Sequence, residues 1–527
     1  MVYRFATPGD PTCRALDAQL RATSETLDDL ENAAAAFAQI RAEEPEDADA
    51  LYNQALCLAW LGRNSEALAA LDQFVALIVL TDGPLDRAAE AWTIGEVLRL
   101  GAGAEPLADD LRYVWSVDRP AHADALLHSW PHLRPVAMPS DPLTGERPLE
   151  SGHVYEWLDR DLETASDAEP PRPERVPRVL ATVIDTNRAL RLSTPEPAGF
   201  DRLAEPGFER LAQALAPARK EASPLPIAWA DAALGTFRFP AGLAPDVLTA
   251  LTRGVVERYF ETIWIHRPRH ALGDRSPLAA SRLAASGDRR LGAKLEGVVR
   301  FREQLGSRSS HVLLYQGYPF DRLRRRLGLI AADQSGAVDA DDITCFSEAE
   351  LDRLDPATLD EERLIDAFQA ASTLQDDGRT ARFAAALADR EPPSLARLDL
   401  TALFAPLVRE ALRDGDPDQA LARLDRAGVI SRDPQERATF ATWSAEVLAR
   451  TGRFAAALEM YQNLLTELAH APARAASVAL DGAETLIDNG ATREALDLLL
   501  EARSLASQAA DRELQDRVER LIQQGAS

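Results

Sequence analysis

Apolar and polar positions alternate with a helical period at both ends of the chain. Residues 51–77, LYNQALCLAWLGRNSEALAALDQFVAL, read as two amphipathic helices around a tight turn at Gly62. Ala55 and Ala67 place a small side chain on each helix where the two must approach, and Leu71 and Phe74 continue the stripe of the second. Ala33, Phe37 and Ile40 repeat that stripe 34 residues earlier. Toward the other end, Gly415, Gly452 and Gly490 each close a first helix. Ala420, Ala457 and Ala495 follow these glycines by five residues, and Leu424, Tyr461 and Leu499 come four residues later. Val408, Ala445 and Ala483 precede the glycines by seven residues. Small residues that let paired helices nest, with a bulky residue one turn on, predict stacked helical hairpins. The polar-faced stretch 511–524 fits the capping helix that ends such a stack.

These offsets resemble the tetratricopeptide repeat, whose period is about 34 residues. A third N-terminal hairpin is expected over 85–117, from helices around AAEAWTIGEVLRL and PLADDLRYVWSV. Tetratricopeptide domains that grip peptide carboxylates carry Lys and Asn on their first helices. The matching slots here hold Tyr52 and Leu56, Thr442 and Glu446, and Leu480 and Glu484. That substitution argues against a clamp for chaperone tails and leaves self-association or packing on the middle of the chain. Tyr52, Glu446 and Glu484 are the candidate partner-facing residues of the arrays.

Between the arrays the pattern changes. Proline and charge dominate 132–178, which predicts linkers, with VYEWLDRDL fitting either a helix or a strand. Two β-branched and aliphatic runs flank Asp185, Thr186, Asn187 and Arg188, a hairpin signal, and the helix-like FDRLAEPGFERLAQALAPA follows. From residue 244 the helical period returns. Pro268 and Pro277 stop helices, Gly273 permits positive φ, and Ser276-Pro277 has the form of an N-cap with proline at the first position.

Tyr259, Trp264, Pro268, Ala271-Leu272-Gly273, Ser276-Pro277-Leu278, Ala280 and Gly287-Asp288-Arg289 together resemble the toxin-binding domain of MbcA/ParS/Xre-type antitoxins. The resemblance covers roughly 50 residues, about a tenth of the chain, and implies a helical module that binds a protein. The residues alone are also satisfied by a helical core element with Trp264 as its packing anchor. The expected architecture is therefore mostly α. Helical, tetratricopeptide-like arrays occupy 1–130 and 396–527, and between them lie a Pro-rich linker (131–175), a small α/β unit (176–230), a helical antitoxin-like module (231–330) and an acidic helical connector (331–395).

The formal net charge of -26 repels polyanions at long range and disfavours whole-chain nucleic-acid binding. One region departs from it: residues 267–326 hold fourteen Lys or Arg against five acids, followed by an acidic run at 333–366. Intramolecular pairing of the two, contact with a phosphate backbone and contact with an acidic partner face all remain open. Trp264, Arg267, Arg269, Arg275, Arg289, Arg290 and Arg324 are the module's candidate partner-binding residues. Residues 318–330, YPFDRLRRRLGLI, predict one short helix with a leucine stripe and an arginine face.

Chemistry is hard to find. Phosphate loops, GxGxxG, HExxH and GxSxG are absent. His122 and His128 fall off one helical face, and Pro268 separates His266 from His270, so no metal site is expected. Cys13, Cys57 and Cys345 are far apart, which disfavours a zinc or disulfide framework. No cofactor and no catalytic residue is assigned. The start, MVYRFATPGDPTCRAL, lacks a signal-peptide pattern, and the apolar run 74–80 is too short to cross a bilayer, so a cytoplasmic location is expected. The expectation is a non-enzymatic scaffold for protein partners. The alternative is a regulator whose central module binds a toxin-like enzyme or nucleic acid, and an enzyme without a signature is the third possibility.

Overall fold

Alanines at the predicted contact points set the first helices. In the computed structural model, α1 (Leu27–Glu43), α2 (Ala48–Trp60), α3 (Asn64–Leu80) and α4 (Leu85–Leu98) each pack on the next. The structure describes residues 26–99, 107–108, 111–117, 127–128, 130, 132–136, 153–162, 172–186, 189–194, 219–222, 227–228, 236–306, 317–331, 338–390, 398–509 and 511–525. The chain divides into two compact units, Met1–Asp341 and Asp342–Ser527.

In the first unit, Asp47 caps α2 by accepting the Ala50 amide at 2.9 Å. Gly62 turns the chain at φ 74°. Ala55, Ala67, Leu71 and Phe74 are all buried, as the pattern requires. The expected second helix of the third hairpin does not form. Residues Leu107–Ala108 are strand β1 and Leu111–Ser116 are strand β2. The aromatic and β-branched alternation of LRYVWS finds partners on both sides in a sheet, and tertiary pairing overrides the helical reading.

That sheet is antiparallel. With β3 (Leu133–Val136), β4 (His153–Leu158), β5 (Val179–Asp185), β6 (Ala189–Thr194), β7 (Arg219–Ala222) and β8 (Ile227–Ala228), its order is β3-β4-β5-β6-β2-β7, and β1 pairs with β8. The β5–β6 hairpin closes where the sequence placed it, with Asp185 opposite Leu190. The expected linker thus holds two strands, and VYEWL belongs to β4. Pro135 is tolerated because β3 is an edge strand, where a missing N–H interrupts no ladder. Trp115, Trp130, Trp157, Val183, Leu190 and Leu192 form the sheet's core. The helix-like residues 200–218 lie outside the described residues.

The chain then returns to helix: α5 (Pro245–Arg258), a π turn (Tyr259–Ile263), 3-10 turns at Trp264–His266 and His270–Leu272, α6 (Pro277–Ala285), α7 (Arg289–Gly306) and α8 (Phe320–Arg326). Ser276 caps α6 through the Ala279 amide at 3.2 Å, and Gly273 sits at φ 66°. Helix α7 supplies the neighbour that α4 was expected to find locally. Gly297 lies so close that an added Cβ would come within 2.5 Å of the Trp92 ring. Thr93 donates to the Gly297 carbonyl at 3.3 Å, and Arg289 donates to the Gly83 carbonyl at 3.0 Å.

The second unit is helical among its described residues: α9 (Glu348–Arg353), α10 (Glu361–Thr373), α11 (Asp377–Ala388), α12 (Leu400–Arg413), α13 (Pro417–Ile430), α14 (Pro434–Arg450), α15 (Phe454–Glu467), α16 (Pro472–Asp488), α17 (Thr492–Gln508) and α18 (Arg512–Gly525). Helices α10 and α11 pack as a hairpin and α11 packs on α12, so hairpins begin before residue 396. Gly415, Gly452 and Gly490 adopt φ of 75°, 76° and 85°, and Ala420, Ala457, Ala495, Ala445 and Ala483 are buried. First helices α12, α14, α16 and α18 touch in succession, as do second helices α15 and α17. Gly482 admits Tyr461: a Cβ there would lie 2.9 Å from the ring. Helix α18 inserts Val518 into the core it shares with α16 and α17.

Candidate interaction surfaces

The central module was expected to present tryptophan and arginine. It buries three of the seven candidates instead. The Trp264 side chain is 0% exposed, and so is Arg269, whose guanidinium lies 4.7 Å over the indole. Burial, then the neighbouring charge of Arg302, pushes the Arg269 pKa well down. These residues are core, in line with the packing-anchor reading of Trp264. Arg324 is also buried, between Glu303 at 2.6 Å, Glu296 at 3.1 Å and Asp321 at 3.1 Å. Burial opposes its charge, but the hydrogen bonds and fields of Glu303 and Glu296 win and raise its pKa. Arg289 is half-buried and ion-paired with Asp82. Arg267 is half-buried, while Arg275 and Arg290 are exposed. Within this set the structure brings together Trp264, Arg267, Arg269 and Arg275: the Arg269 amide donates to the Arg275 carbonyl at 2.9 Å.

Much of the basic excess of 267–326 is therefore neutralised inside the first unit. Arg300 meets Asp86 at 2.8 Å, and Arg322 and Arg326 share Glu261 at 2.8 and 3.3 Å. Glu261 also accepts from the Tyr318 hydroxyl at 3.0 Å. Sequence reasoning missed Glu261, and a π turn explains why: the extra residue shifts the helical phase, so the 3.6-residue count no longer predicts which side chains face inward. The expected arginine face of 318–330 likewise turns inward, with Arg324, Arg325 and Arg326 buried and Arg325 donating to the Asp339 and Ala340 carbonyls at 2.8 and 2.5 Å.

Of the array candidates, Tyr52 is buried with its ring 5.2 Å from Phe74, so it packs the N-terminal hairpin rather than facing a partner. Glu446 and Glu484 are half-buried on the first helices α14 and α16. Burial, with Asp481 adding repulsion, raises the Glu446 pKa against the pull of Arg450. Asp481 is raised too, chiefly by burial and with a contribution from Glu484, while Arg517 opposes. Arg517 donates to both Glu484 oxygens at 2.9 Å. Beneath them, burial and the nearby Glu446 push the Tyr461 hydroxyl up to about 12. Asp481 is the member sequence reasoning passed over; its i, i+3 spacing from Glu484 on one helix face was the available signal.

Among the described residues, no group of three or more His, Cys, Asp or Glu side chains is arranged to hold a metal ion. Cys57 is buried and its thiol is pushed up to about 12, chiefly by desolvation, which makes it unreactive. Among the described residues no helix is long and apolar enough to cross a membrane.

No protein-family model matches the chain, and no curated protein matches it. Among solved structures, the chain is similar to one described as Naa15/Naa10 bound to HypK-THB, at 12% identity over 97% of this chain and 78% of that one, with a TM-score of 0.19. It is also similar to a circular tandem repeat protein with novel repeat topology, at 11% identity over 98% of this chain and 91% of that one, with a TM-score of 0.14. Scores this low transfer neither fold nor function, so both rest on the chain's own packing.

Proposed function

We propose that this chain is a non-enzymatic scaffold or adaptor for protein partners, working through tetratricopeptide-like hairpin arrays. The observation that carries this reading is the stack α10–α18, in which first helices lie side by side and hold half-buried Glu446 and Glu484 next to the exposed Asp481. Folding disfavours the ionised forms of Glu446 and Asp481, so an incoming cation stabilises them. The partner segment is accordingly basic, and Arg517 is the cation that already occupies part of this face. The test is affinity purification with the intact chain and with the double variant Glu446→Gln, Asp481→Asn. The scaffold reading expects stoichiometric protein partners from the first and their loss from the second while the helical signal is unchanged. Equal recovery from both would reject this face as the partner site.

The second reading is a regulator that uses the central module to bind a toxin-like enzyme or nucleic acid. Exposed Arg275 and Arg290, beside the Gly273 turn and the Ser276 cap, favour it. It expects binding that weakens steeply with salt and is abolished by Arg275→Glu with Arg290→Glu. Salt-indifferent binding, or binding that survives both changes, counts against it.

A further inference from the structure

We draw no further inference here: the strongest candidate, the half-buried amine of Lys294 beside Arg290 and Arg99 where α7 packs on α4, faces Asp72 and Asp288 at the same place, and nothing in the structure shows an anion or partner that these cations would hold.

Discussion

The C-terminal array and the central module are both helical, yet their helices are fixed in different ways. In the array, contacts are local and apolar: Ala457 and Ala495 let neighbouring helices close, and Tyr461 fills the space that Gly482 leaves. In the module, α8 is tied to the π turn and to α7 by buried charge, through Glu261, Glu296 and Glu303. Apolar packing tolerates gradual change, because dispersion and burial scale with area. A buried ion pair does not, because losing one partner strands the other in low dielectric.

The sharpest break in this comparison is Glu261→Leu. It leaves Arg322, Arg326 and the Tyr318 hydroxyl without their shared acceptor, and we expect a loss of about 3–5 kcal/mol in the first unit. Chemical denaturation followed by tryptophan fluorescence would measure it; a loss under 1 kcal/mol, on the order of a surface pair, would show that α8 is held by apolar contact instead. Gly482→Leu should follow, at about 1–3 kcal/mol from overpacking against the Tyr461 ring, and should lower only the transition of the second unit. A wild-type melting curve for this variant would mean that the Tyr461 contact relaxes freely. Asp416→Ala removes the cap that accepts the Gln419 amide at 2.9 Å, with an expected loss of about 1 kcal/mol.

The smallest effect concerns pH. Folding raises the Glu446 pKa, so the folded state holds this proton more tightly than the unfolded chain. Its contribution to stability is present below the ordinary Glu pKa and is lost as pH rises through the raised value. Glu446→Gln should thus give a slightly higher melting temperature at pH 7 and none of the gain at pH 3. Equal shifts at both pH values would show that burial of the ionised form is not what burdens this site.

Legibility from sequence followed the same divide. The array could be read because its contacts recur at fixed offsets within one or two turns, and the glycines at 415, 452 and 490 mark left-handed turns that other residues rarely adopt. Strand β2 could not, because its partners β6 and β7 lie far along the chain and its own residues also fit a helix. Two of the candidate arginines were misplaced for a related reason. Net basic charge says nothing of burial, and Arg269 and Arg324 are inside. Part of the acidity has a local role: Asp360, Asp376, Asp399, Asp416 and Asp433 each accept a backbone amide at a helix start.

The contact between Thr93 and Gly297 spans 204 residues of chain. A ribosome adding about 5–20 residues per second needs roughly 10–40 seconds to deliver the second member after the first. During that interval the face of α4 that carries Trp92 has been made and its cover has not. Nascent chains stalled before residue 289 should therefore bind a hydrophobic holdase, and chains extended past residue 306 should let it go.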